Sequence, residues 1–204
     1  MKNLLIFSLL ILCSIHVSAQ RFEDYFEDRT LRLDYTFAGD DVLHQIYVDE
    51  LVSLPHWYGR REHLAELPLK GNGQITIRSK ADETVIYRHS FSTLFQEWLA
   101  TDEAKHVQKS FENVFLVPFP KDSVEIKVEL FDYHNEVVNS LTHTVDPKDI
   151  LIRKAGERGI TPYKIFNQAA DTTRCIHVAF VAEGYSENRR SEERFSRNAE
   201  TDLV

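Results

Sequence analysis

The sequence predicts a mainly β protein, an antiparallel β-sandwich with one short helix, followed by a fragment of an α/β domain. Three observations predict it. Apolar and polar residues alternate with period two in several separate stretches, and polar turn segments join those stretches into hairpins. Near the C-terminus one apolar run is almost unbroken instead of alternating. Alternation marks strands with one face in a core and one in water, whereas an unbroken run marks a strand buried on both faces, as in parallel α/β sheets.

The first strand is expected from Leu31, where Leu33, Tyr35 and Phe37 share one side while Arg32, Asp34 and Thr36 share the other. Gly39-Asp40-Asp41 supplies a turn, and a second strand runs from about Gln45 to Leu51 with Ile46 and Val48 as its inward pair. Between Pro55 and Gly73 the periodicity disappears, and closely spaced prolines and glycines predict a long ordered loop. Gln74 to Ser79 and Thr84 to Ser90 form a hairpin around Lys80-Ala81-Asp82-Glu83. Ser92 or Thr93 caps a short helix whose buried face is expected to carry Leu94, Phe95, Trp98 and Leu99. Asn113 to Phe119 is a further strand. The strict alternation of Val124 to Leu130 makes the clearest strand of all, and Glu136 to Val145 returns beside it after the turn Asp132-Tyr133-His134-Asn135.

Residues 1–19 read as a signal peptide: Lys2, an apolar run from Leu4 to Cys13 too short to span a bilayer, then Val17-Ser18-Ala19 as the cleavage signal before Gln20. The expectation is export to the periplasm, the cell surface or the medium, with no membrane insertion after cleavage. Only Cys175 then remains, so no intramolecular disulfide forms and burial must hold the fold. It stands just ahead of an apolar strand, where an inert buried thiol is the expectation. A formal charge of -8 makes nucleic acid and anionic lipid poor partners. The sandwich is expected over residues 20–152. Residues 153–204 are read as a linker and the truncated start of an α/β catalytic domain, with Ile176 to Ala182 as its first strand.

Several segments carry a resemblance. Phe22 to Tyr35, Leu67-Pro68-Leu69-Lys70-Gly71-Asn72-Gly73-Gln74-Ile75, Phe95-Gln96-Glu97-Trp98-Leu99, Val145 to Ile152 and Val178 to Tyr185 are similar to the secreted IgA-type zinc metallopeptidases of Bacteroides-like bacteria. The resemblance implies that residues 21–152 are the N-terminal sandwich of such a protein, preceding a zinc peptidase domain. In that family a His-Glu-x-x-His helix holds the metal with two histidines and offers the glutamate as base. This chain has no such motif; His63 is followed by Leu64-Ala65-Glu66. The resemblance therefore implies a non-catalytic accessory domain, truncated before the catalytic motif, that docks or positions a catalytic peptidase domain. No cofactor is expected in this chain, and zinc only in full-length relatives. The alternatives are a free-standing sandwich that binds a host glycan or protein, and a degraded gene product.

One cluster invites a site: His56, Trp57, Tyr58, Arg60 and Arg61 in the long loop. A flat aromatic beside hydrogen-bonding groups can hold a sugar, and the same residue types make interface hot spots. The bland reading is packing against this domain or a neighbouring one. The nine histidines match no metal-ligand spacing, although His56 with His63, or His89 with His143, would be the pairs to test. Glu23, Asp24, Glu27 and Asp28 read as a solvated acidic edge with no calcium-loop pattern.

Overall fold

The computed structural model describes residues 20–67, 69–156, 165–170, 175 and 178. The chain divides into two compact units, residues 1–164 and 165–204. In the second, the described residues are exposed, Cys175 among them, which corrects the expectation of a buried thiol. The apolar run after Cys175 lies almost wholly outside the described residues, as does the signal peptide.

In the first unit the short helix α1 (Phe22–Tyr25) leads into β1 (Phe26–Gly39), followed by β2 (His44–Pro55), β3 (Gly73–Ser79) and β4 (Val85–Phe91). Helix α2 (Leu94–Leu99) and a 3-10 turn at Asp102–Lys105 connect to β5 (Lys109–Pro120). The long hairpin of β6 (Val124–Phe131) and β7 (Val137–Val145) precedes the two-residue β8 (Arg153–Lys154). They form two four-stranded sheets, in the orders β5-β1-β2-β8 and β4-β3-β6-β7. All pairs are antiparallel except β8, which lies parallel to β2. The mainly β sandwich with little helix is thus the observed architecture.

The period-two pattern does what it predicts. Leu31, Leu33, Tyr35 and Phe37 are each fully buried, and β6 alternates between buried and half-buried without exception. Each such side chain withdrawn from water stabilises the fold by about 1.5–3 kcal/mol. Between the sheets the rings of Phe37, Phe91 and Phe115 form a nucleus, with Phe91 and Phe115 centroids 4.5 Å apart. Phe95 of α2 closes one end against Phe37, and Trp98 packs on Phe111.

Two inward assignments need correction. Leu94 is 69% exposed, because it opens a helix of only six residues and Phe95 and Trp98 occupy the core side. Thr93 is the cap, its hydroxyl accepting from the Gln96 backbone N–H. Val48 is 39% exposed where Ile46 is buried. The ladder slips at that point: Asp34 opposes Glu50 but Tyr35 opposes Val48, a bulge that re-aims the β2 side chains. Gly39, with φ +140, takes the turn into β2, where a side chain would strike the Leu43 carbonyl.

At the edge of the first sheet, charges hold β8 beside β2. Arg153 grips Glu50 of β2 with two guanidinium nitrogens, and Arg32 pairs with Asp34 at 2.6 Å. Both arginines hold their protons more tightly than usual, first through the hydrogen bond to the partner carboxylate and then through the charges of Asp34 and Glu50.

Candidate functional site

The loop after β2 carries the aromatic and basic cluster, and its sequence explains its path. His56 takes a left-handed φ of 58°, turning the chain at the end of β2, and its carbonyl accepts from the Thr30 hydroxyl at 2.6 Å. A non-glycine residue there costs about 1 kcal/mol, so its neighbours must hold it. Trp57 then enters the core, only 7% exposed, edge-on to Tyr87 of β4 at 6.2 Å. Its indole N–H donates to the Arg60 carbonyl at 3.0 Å, folding the loop back on itself. Gly59 lies against the indole ring, where a Cβ would collide.

The two arginines finish the structure in different ways. Arg60 reaches inward, donating to the carbonyls of Leu64, at 3.0 Å, and Arg88, with its guanidinium over the Tyr87 ring at 5.2 Å. Arg61 lies over the Phe22 ring at 4.6 Å and pairs with Asp28. Asp28 is the hub that sequence reading placed on a solvated edge. One carboxylate oxygen accepts from the Trp57 backbone N–H at 3.2 Å and from Arg61, while the other stands 3.6 Å from His56 Nδ1. The Trp57 N–H, and after it Arg61, hold the Asp28 carboxyl below its usual range. No local pattern could reveal this, since 29 residues separate Asp28 from the N–H it receives.

Tyr58 is the exception within the cluster. It is 75% exposed, its ring edge-on to His56 at 6.1 Å. Beside them a shallow cleft of about 320 Å³ opens between Asp28, Arg29, Pro55, His56 and Lys154. The polar groups at its rim are largely engaged: Arg29 donates to Ser53 and Glu27 and covers the Phe119 ring at 4.1 Å.

The histidine pairs do not converge. His89 on β4 and His143 on β7 lie in one sheet with β3 and β6 between them, separated by more than the roughly 14 Å of three strand spacings because His143 is also two residues out of line with His89. His63 instead bonds Glu66 at 2.8 Å, which raises its proton affinity, and His56 faces Asp28. Among the described residues no group of three or more His, Cys, Asp or Glu side chains is arranged to hold a metal. His143 does have a role that the sequence did not signal. Its Nε2 meets the Tyr35 hydroxyl at 2.7 Å, a polar tie between the two sheets inside the core. Burial pushes the Tyr35 hydroxyl well above its ordinary value and His143 below its own.

The family model described as Peptidase M64 N-terminus matches residues 21–142, more than half of the chain. The chain belongs to this family. No curated protein matches it. The M64 N-terminal match runs from α1 into β7 and so takes in the whole aromatic and basic loop together with Asp28, Tyr35 and Tyr87.

Proposed function

We propose that this chain is the non-catalytic accessory module of a secreted metallopeptidase-like protein, a folded support that docks or positions a peptidase domain. The observation that carries the reading is the M64 N-terminal match over a closed sandwich in a sequence without a His-Glu-x-x-His motif. A core closed by its own side chains, with both sheets packed on each other, folds without help from a second domain. Export follows from the leader-like residues 1–19. In this reading zinc belongs to the peptidase domain and not to the sandwich.

The test is a cleavage assay on the purified chain with immunoglobulin A and with casein, zinc present or removed by chelator. No cleavage is expected in any condition. Chelator-sensitive cleavage overturns the reading.

The exposed Tyr58 beside His56 favours one second reading, a glycan- or protein-binding sandwich that uses this corner. Glycan-array binding that disappears in Tyr58→Ala would support it over the accessory role. The choice of Tyr58 over Trp57 follows from burial, because the Trp57 ring has no free face to offer.

A further inference from the structure

A second cleft, of about 220 Å³, opens where the end of the long loop meets the outer face of the β4-β3-β6-β7 sheet. Four polar side chains line it from four separate parts of the chain: Lys70 of the loop, Gln74 of β3, Ser90 of β4 and Asn135 of the β6–β7 turn. Local structure fixes their places. Gln74 opposes Ser90 in the β3–β4 ladder. The Gly71 N–H donates to Ser90 Oγ at 2.5 Å, and a Cβ on Gly71 would strike the Phe91 carbonyl, so the loop passes β4 as bare backbone. The Asn72 carbonyl accepts from the Phe131 N–H at 2.8 Å and from Gln96, which ties the loop to the end of β6. Leu67 and Phe131, both half-buried, supply an apolar wall.

Unlike the rim of the cleft beside Tyr58, these groups have hydrogen-bonding capacity left over. The Lys70 ammonium and the Asn135 side-chain amide have no partner among the described residues. Gln74 gives a side-chain N–H to Thr76 Oγ1 at 2.7 Å, and its side-chain oxygen accepts nothing among them. Ser90 Oγ accepts from Gly71 while its own O–H remains to donate. Donors and acceptors thus converge on one small cleft beside an apolar wall, the combination that marks a ligand site.

The same combination selects the ligand. An anion would meet the Gln74 oxygen and nearby carboxylates: Glu129 opposes Gln74 in the β3–β6 ladder, and Asp132 and Glu136 flank the turn that carries Asn135. A cation would face Lys70. A wholly apolar group would strip water from four polar side chains without replacing its hydrogen bonds. A hydroxyl donates and accepts at once, so an uncharged ring of hydroxyls with apolar C–H faces satisfies all four groups and the wall. The volume lies below the roughly 300–1,000 Å³ of drug-sized sites, which suits a single ring. We infer that this cleft binds one neutral monosaccharide unit, free or at the end of a glycan. Lys70 and Ser90 donate to its hydroxyls, Gln74 accepts from one, and Asn135 does both. Such a site needs neither a peptidase partner nor Tyr58.

The test is a titration of the isotope-labelled chain with galactose, mannose, N-acetylglucosamine and N-acetylgalactosamine, followed by the amide resonances, with glucuronate as the charged control. At least one neutral sugar is expected to shift the amides of Gly71, Gly73, Gln74 and Ser90 with a Kd of roughly 1–10 mM, and glucuronate to bind more weakly. Asn135→Gly removes the amide at a φ of 64° that glycine adopts freely, so the fold is kept while the Kd rises about tenfold. Lys70→Ala, at an exposed position, should weaken binding in the same direction, and Tyr58→Ala should leave it unchanged. A glycan array separates the two sources: array binding assigns the end of a glycan, whereas binding in the titration alone assigns a free sugar. Absence of any shift at about 100 mM sugar overturns the inference, as does a Kd indifferent to both Asn135→Gly and Lys70→Ala, or tighter binding of glucuronate. Since no peptidase enters the titration, its failure would leave the accessory role standing.

Discussion

The two edges of the β4-β3-β6-β7 sheet make an instructive contrast. Beside β4 stands the most conspicuous stretch of the sequence, with its tryptophan, tyrosine and two arginines. Along β7 lies one of the blandest. Conspicuous chemistry turns out to be engaged within the fold: Trp57 is buried, Arg60 caps two carbonyls and Arg61 is paired with Asp28. Uncharged β7, by contrast, pairs among the described residues with β6 alone and has no loop hydrogen-bonded along its outer side comparable to the one on β4. Residue type alone therefore misleads about where a surface is available, because aromatics and arginines cover an edge as readily as they bind a ligand.

The contrast is broken most severely at the covered edge. Trp57→Ala leaves a large cavity against Tyr87 and frees the Arg60 carbonyl, and a loss of about 3–5 kcal/mol is expected in chemical denaturation. Arg60→Ala strips both carbonyl caps and should cost about 2 kcal/mol, the scale of hydrogen bonds from a charged donor. A smaller effect, about 1 kcal/mol, is expected for Tyr35→Phe, which leaves His143 Nε2 without its partner on the inner side of the open edge.

A pH series sharpens the same point. Burial depresses His143, and burial together with Arg60 depresses His89, both from an ordinary value of 6.5. Below that value the unfolded chain takes up protons that the folded one resists, so stability present above pH 6.5 is lost as the pH falls through and beneath it. The thermal midpoint should drop between pH 7.5 and 5.5, and His143→Gln should remove part of that slope. The depressed carboxyl of Asp28 acts in the same direction but at lower pH, since its contribution is lost only as the carboxylate protonates. The smallest change is expected at Tyr58, where alanine should alter stability by no more than about 0.5 kcal/mol because the ring is exposed.

Much of the sandwich was legible because strands announce themselves locally. Leu31, Leu33, Tyr35 and Phe37 alternate within one stretch, and so do the residues of β6, so their inward faces follow from sequence order alone. The hairpins around Lys80 and Asp132 were equally readable from their turn residues. Val48 was not, because a bulge shifts the register by a residue without any glycine or proline to mark it. The candidate loop was recognised as a loop and as a cluster, but not as a cover for β4. Its partners Asp28, Tyr87 and Arg88 come from strands far away in sequence, and hydrogen bonds to backbone carbonyls leave no trace in residue type. The Tyr35 to His143 tie spans 108 positions and was invisible for the same reason.

Amide hydrogen exchange of the chain in dilute solution, resolved by residue, compares the two edges in a single experiment. The Arg88 amide, outside the β3 ladder but bonded to the Leu64 carbonyl, should be protected as strongly as the neighbouring core strands, while the Thr142 and Thr144 amides exchange rapidly. Rapid exchange at Arg88 with slow exchange along β7 would contradict the account.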